Sequence, residues 1–214
     1  MRLIALPGVF RPISDSRLLA ECLRGELSPG AHVADVCTGT GLLAVTAALH
    51  GAGTVAATDR SRRAVFNARV NARLNGVAVH AVRGDLLEPL DGRRFDLIVS
   101  NPPYVPAETD ALPSGGPARA WDAGRNGRAV IDRLCDEAPG RLRPGGALLL
   151  VHSSVCGERN TIERLARHGL EADVLVRRRG PLGPLLAARA QALEDRGLLA
   201  RGEREEEIVV IRAR

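Results

Sequence analysis

The chain has 214 residues, 45% hydrophobic and 26% charged, a composition that suits one globular domain (1–214) with a core of its own. Its thirty basic residues are all arginine, so it lacks the lysine of a P-loop, of a pyridoxal Schiff base and of a tyrosine–lysine dehydrogenase pair. The net charge of +5 leaves an anionic partner open, although Arg177-Arg178-Arg179 is the one run of three and reads as solvated surface.

Four cysteines (Cys22, Cys37, Cys135, Cys156) form no C-x-x-C pair, and the five histidines form no ligand cluster, so no metal site is expected. Met1–Gly8 has no long apolar core, and no stretch reaches the ~18 apolar residues of a membrane span. The chain reads as a cytoplasmic protein with reduced thiols.

In chain order, Ser14 reads as the cap of a helix through Arg24 that Gly25 stops. Ala31–Val36 reads as a buried strand, Leu42–His50 as a helix, Thr54–Thr58 as a strand and Ser61–Leu74 as a long helix. Strands follow at Val77–Val82, Phe95–Ser100 and Ala147–Ser153. Then come a helix near Glu158–His168, a strand near Leu170–Val176, a helix near Leu185–Arg196 and a last strand, Glu207–Arg212. Repeated βα units predict a parallel sheet covered on both faces, with the final strands able to pair antiparallel at an edge. The long irregular stretch 101–122, rich in Pro, Gly and Ala, has the length of a functional loop.

In an open α/β sheet, ligands sit beyond the carboxyl ends of the strands. Three successive strands end near an acid there: Asp35 before the turn Cys37-Thr38-Gly39-Thr40-Gly41, then Asp59, then Asp85. Gly39 and Gly41 let backbone approach a ligand at a helix N-terminus. Gly39-x-Gly41-x-x-Ala44 with Asp59 also matches a dinucleotide fingerprint. A dinucleotide does not require Asp35 and Asp85, however. S-adenosylmethionine (SAM) uses all three acids, at its methionine end, its ribose and its adenine amine.

The fourth strand runs into Asn101-Pro102-Pro103-Tyr104. Two prolines fix φ and remove two donors. The Asn101 amide oxygen and the Pro102 carbonyl can then accept both hydrogens of one NH₂ group, and Tyr104 offers a flat face to a planar substrate. An amide or base nitrogen is a poor nucleophile because its lone pair is delocalised. Gripping both hydrogens aims that nitrogen at the methyl carbon without a strong base.

These motifs, Asp35 to Gly41 and Asn101 to Tyr104, resemble the HemK/PrmC family of class I SAM-dependent methyltransferases, known for N5-methylation of a glutamine in peptide-chain release factors. The resemblance covers nearly the whole chain. Phe10-Arg11-Pro12-Ile13-Ser14-Asp15-Ser16 and Trp121-Asp122-Ala123-Gly124-Arg125-Asn126-Gly127-Arg128 are similar to segments of the family's short branch, which lacks a separate N-terminal helical domain.

The resemblance implies a Rossmann-like α/β fold whose sheet has seven mostly parallel strands, helices on both faces and an antiparallel edge strand. It implies an N-terminal helical segment (1–30) and an insertion at 177–204. Ser16, Asp35, Gly39, Gly41, Asp59, Asp85, Leu86 and Asn101 would meet SAM, and Asn101, Pro102, Pro103 and Tyr104 the acceptor. Arg125-Asn126-Gly127 would shape the site or begin the next helix. Cys37 stands where the family has a glycine and is accommodated if its φ is negative. A protein substrate is implied, such as a release factor, with a small activator subunit as a further partner. Competing functions are methylation of a nucleic-acid amine (adenine N6 or guanine N2) or of a small molecule. A binding module without catalysis is disfavoured by the intact Asp35, Asp59, Asp85 and Asn101.

Overall fold

The computed structural model describes residues 1–214. Strands β1 (His32–Val36), β2 (Thr54–Asp59), β3 (His80–Arg83), β4 (Phe95–Ser100), β5 (Leu142–Ser153), β6 (Ala172–Pro181) and β7 (Glu205–Ala213) form one sheet. Their order across it is β3-β2-β1-β4-β5-β7-β6. The first five are parallel, and β7 runs antiparallel to both β5 and β6. The antiparallel edge expected from the final strands is therefore a β7–β6 pair.

Both faces of the central strands are apolar, as a sheet covered on both sides requires. Successive side chains point opposite ways. Ala34, Val36 and Ile98 thus join one core with helices α4 (Ala129–Glu137) and α5 (Glu158–Arg167). Val33, Leu97 and Val99 join the other with α1 (Ser14–Glu26), α2 (Leu42–Leu49) and α3 (Arg62–Leu74). Leu148, Leu149 and Leu150 of β5 alternate between the two and are wholly buried; truncating any one to alanine costs ~2–5 kcal/mol. Two short helices, α6 (Pro184–Ala188) and α7 (Ala190–Asp195), pack Leu186, Ala190 and Leu193 on Val105 and Val155 in a third cluster.

Several boundaries differ from the sequence reading. Ser14 is the first residue of α1 rather than its cap; Ile13 takes the cap position without a side-chain bond, and the helix continues past Gly25 to Glu26. Strand β5 begins at Leu142, through Pro144-Gly145-Gly146, because Leu142 pairs with Phe95 across a bulge. A Cβ on Gly146 would come within 2.9 Å of the Phe95 carbonyl oxygen. The helix expected over 185–196 is broken at Arg189, where α6 gives way to α7. Strand β6 extends through Arg177-Arg178-Arg179, and each of these arginines faces a carboxylate: Glu158 and Glu207, Glu21, and Glu205 respectively.

The first residues are pinned by a side-chain ladder. Asn67, Asn71 and Asn75 stand one turn apart at the α3 face and its end. Their amide oxygens accept the backbone N–H groups of Leu6, Ile4 and Arg2 at 2.8, 3.0 and 2.7 Å. Four helical residues rise about 6 Å and two extended residues about 6.6 Å, so rung follows rung with little mismatch. The ladder delivers Gly8–Pro12 to the carboxyl ends of the strands.

Candidate active site

A cavity opens at those strand ends, walled by the end of β2, the turns after β1 and β3, the starts of α2 and α3, the Gly8–Ser16 segment, α4 and the 101–122 loop. Thr38, Gly39 and Thr40 form its floor. Gly39 has φ +53°, and a Cβ built there would meet nothing within 4 Å, so the peptide faces open space. Gly41 is required for packing instead. At φ +82° it starts α2, and a Cβ would lie 2.9 Å from Ala68 of α3. Cys37 also adopts a left-handed conformation, φ +61°, contrary to the negative φ expected of a side chain in that turn. A non-glycine residue there carries roughly 1–2 kcal/mol of strain. Burial, before the neighbouring Asp59, Asp35 and Asp85 charges, pushes its thiol well above the usual range, so it is not a nucleophile.

Asp35 lies under this turn, fully buried and off the cavity wall. Its Oδ2 accepts from Thr38 Oγ1 at 2.5 Å and from the Ala44 amide at 3.0 Å, tying the turn to the first helical residues; its Oδ1 has no partner. Burial raises its pKa to about 7 against the lowering effect of those two bonds. Asp59, on the wall, accepts from Gly39 N at 3.0 Å and Ser61 N at 2.8 Å. Its pKa is raised by burial, and these bonds and the Arg119 and Arg60 charges oppose the rise. Asp85 lines the far end, 3.1 Å from the Arg133 guanidinium, followed by Leu86 at φ +43°. Gly84 before it is obligatory, since a Cβ would overlap Pro89 at 1.9 Å.

Asn101 and Pro103 line the opposite end, next to Ser16. Asn101 Nδ2 donates to Ser16 Oγ at 2.9 Å, and no group of the chain donates to Asn101 Oδ1 or to the Asn101 and Pro102 carbonyls. Pro102 is buried. Tyr104 is turned away from the cavity, and its hydroxyl donates to Asp15 Oδ2 at 2.7 Å. Burial first, then the Asp15 charge, holds its pKa well above the normal phenol value.

Beyond Tyr104 the loop closes on itself: Val105 N donates to Trp121 O at 2.7 Å and Ala123 N to Val105 O at 3.0 Å. Gly127, at φ +72°, lets the chain pass Tyr104, whose carbonyl oxygen would be 2.4 Å from a Cβ. Arg128 then anchors the α4 start from below, donating to the carbonyls of Cys156 and Gly157 and to Asp132. Arg189 and Arg196, at the break in and the end of the last helical pair, donate to Pro106 O, Asp122 and Ala107 O.

The structure thus brings Ser16, Gly39, Asp59, Asp85, Leu86, Asn101 and Pro103 to one cavity; Asp35, Gly41, Pro102 and Tyr104 stand behind its wall. Sequence reasoning missed Phe10, Arg119 and Arg133 as wall residues and Asp15 as the partner of Tyr104. Phe10 and Asp15 lie in the segment similar to the family's short branch, whereas Arg119 and Arg133 have no spacing signal, because each arrives from a distant element.

The residues fit SAM. Gly39 leaves room against its peptide, Asp59 on the wall keeps lone pairs for hydroxyl donors, and Asp35 braces the turn between them from behind the wall.

The fold and this set of strand-end acids define a SAM-dependent methyltransferase. Residues 1–113 match the methyltransferase small domain family. A protein of Methanocaldococcus jannaschii whose name assigns it protein N5-glutamine methyltransferase activity is 34% identical over 87% of this chain and 93% of its own. The release factor glutamine methyltransferase of Bordetella pertussis is 40% identical over 68% of this chain, which spans 57% of that protein's length. Among solved structures, the Mtq2–Trm112 complex of E. cuniculi, responsible for methylation of the eRF1 translation termination factor, superposes with a TM-score of 0.64 at 26% identity, covering 96% of this chain and 98% of that one. The chain belongs to the methyltransferase small domain family, as its motifs implied. No helix is long and apolar enough to cross a membrane.

Proposed function

We propose that the protein methylates the side-chain amide nitrogen of a glutamine in a protein, and that this glutamine belongs to a peptide-chain release factor in the cytoplasm. The observation that carries the reading is a pair of acceptors with no donor in the chain: Oδ1 of Asn101, a wall residue, and the carbonyl of Pro102, which joins the wall residues Asn101 and Pro103. They suit the two hydrogens of one NH₂ group. The names of the relatives agree with an amide acceptor.

In this reading Gly39, Asp59, Asp85, Leu86 and Ser16 hold SAM, with Asp35 bracing the glycine turn from behind, and SAM when bound supplies a methyl group activated by a sulfonium. Asn101 and Pro102 orient the acceptor. Their two hydrogen bonds fix the nitrogen in place and orient it towards the methyl carbon, which is positioning catalysis in a site shielded by Phe10 and Pro103. No residue need act as a strong base, because a nitrogen that gains a fourth substituent sheds its proton readily to water.

The test incubates the purified protein and SAM with an intact release factor and maps the product by mass spectrometry. One added methyl on the glutamine amide is expected. Methyl transfer to RNA, or to protein sites other than glutamine, overturns the reading. Adding a Trm112-type subunit as a second arm tests whether this chain needs the companion that its E. cuniculi neighbour has.

A further inference from the structure

We propose that Asp15 is a positioning residue: it fixes which way round the Asn101 amide points, so that the acceptor is read by an oxygen and not by an NH₂ group. The proposal rests on the amide-acceptor reading above.

Asp15 lies in the first turn of α1, 2% exposed. Its Oδ1 accepts from the Ser16 amide at 2.5 Å and the Ser16 hydroxyl at 3.1 Å; its Oδ2 accepts from the Tyr104 hydroxyl at 2.7 Å. A carboxylate can only accept, and a serine hydroxyl has one hydrogen to give. The Ser16 proton is therefore committed to Asp15, and Ser16 meets Asn101 with lone pairs alone.

An asparagine side chain has almost the same shape either way round, so only its partners decide its direction. At 2.9 Å from an oxygen with no free proton, Asn101 must present Nδ2 to Ser16. Its Oδ1, which accepts nothing from the chain, is then the acceptor on the cavity side. The same carboxylate holds Tyr104 directly, 89 positions away, and acts on Asn101 through Ser16, whose bond spans 85 positions, so both ends of the Asn101–Tyr104 segment depend on it. The Pro102 carbonyl lies between those fixed points.

An amide at position 15 would keep the shape and lose the polarity. With a donor on one arm of residue 15, Ser16 is free to turn its proton towards Asn101. The Asn101 amide can then flip and show NH₂ to the acceptor. Donor would face donor for glutamine, whereas a glutamate carboxylate would be welcomed. The consequence is a change of preference, not only a loss of rate.

The experiment compares wild type, Asp15→Asn and Tyr104→Phe on the release factor and on its Gln→Glu form as competitor, with SAM affinity by calorimetry and thermal melting alongside. For Asp15→Asn we expect SAM affinity within about threefold of wild type, kcat lower by about tenfold or more, and the Glu form becoming a competitor about tenfold better relative to Gln. Tyr104→Phe lowers kcat less and leaves the Gln/Glu preference unchanged. If Asp15→Asn does not fold, Ser16→Ala carries the same preference test, because it also unpins the Asn101 amide. A wild-type preference in Asp15→Asn, or in Ser16→Ala should that substitute be needed, overturns the proposal, as does a loss of kcat explained wholly by lost SAM affinity or stability. Orientation is read separately by NMR exchange of the Asn101 side-chain amide without substrate: protection in wild type that Asp15→Asn loses supports the proposal, and equal exchange overturns it. A wild type inactive on any glutamine overturns the acceptor reading alone, with the NMR arm still deciding the orientation.

Discussion

The wall of the cavity that fits SAM and the wall that fits the acceptor meet at Asn101, yet they are held by bonds of different reach. On the SAM side, Asp35 bonds residues 3 and 9 positions away, and Asp59 residues 2 and 20 away. Each contact links a strand end to the turn or helix that follows it or to the turn of the adjacent strand. On the acceptor side, Ser16 to Asn101 spans 85 positions, Arg189 to Pro106 83, and Arg196 to Ala107 89. The first wall is a product of the βα repeat itself. The second exists only once α1, the loop after β4 and the α6–α7 pair have docked on one another. The acceptor wall should therefore be the one that variants can loosen without touching SAM.

The largest contrast is in pH. In the protein without ligand, Asp35 has a folded pKa raised from 3.8 to about 7, so the folded state holds a proton that the unfolded chain releases. Stability should fall by roughly 4 kcal/mol as pH rises from 4 through 7, and Asp35→Asn should flatten that fall in urea titrations. Beneath the acceptor loop, His152 behaves oppositely. It is wholly buried, its pKa lowered from 6.5 to about 4 mainly by burial, with Nε2 3.0 Å from Thr161 Oγ1. Its contribution is intact above pH 6.5 and lost as pH falls towards 4, roughly 3 kcal/mol in all. His152→Gln should show a shallower acid limb in the same titration.

Next comes Asn101→Ala, which removes an acceptor at the reacting group. Turnover should drop about 10²–10³-fold while SAM affinity measured by calorimetry changes only a few-fold. Asp59→Ala should do the reverse, weakening SAM by roughly tenfold or more with turnover largely preserved at saturating SAM, since it strips the Gly39 and Ser61 amides of their acceptor. An unchanged SAM affinity would remove Asp59 from the binding set. The smallest effect belongs to Arg189→Ala. Its pair with Asp122 is partly exposed, so about 1 kcal/mol is at stake. The readout is faster proteolysis within residues 101–122 with SAM binding unaltered.

The features legible in the residues alone are short in range. Period-two and helical patterns placed most strands and the main helices, and the acids and glycines at strand ends marked the site, because a parallel sheet carries every strand end to the same edge. The Asn-Pro-Pro-Tyr segment was legible too, since proline restricts its own neighbourhood whatever the rest of the chain does. Tertiary structure decided the remainder. Cys37 took a positive φ where local preference favours a negative one, because the packing around the turn outweighs roughly 1–2 kcal/mol of strain. Pro144, Gly145 and Gly146 sit inside β5 although they are strand breakers, since Phe95 offers a pairing partner. The break at Arg189 follows from its bonds to Pro106 and Asp122. The asparagine ladder on α3 and the Asp15–Tyr104 bond join groups 61 to 89 positions apart. Such pairs leave no periodic trace in a single sequence. Their energy depends on a distance and a direction that only the folded chain supplies.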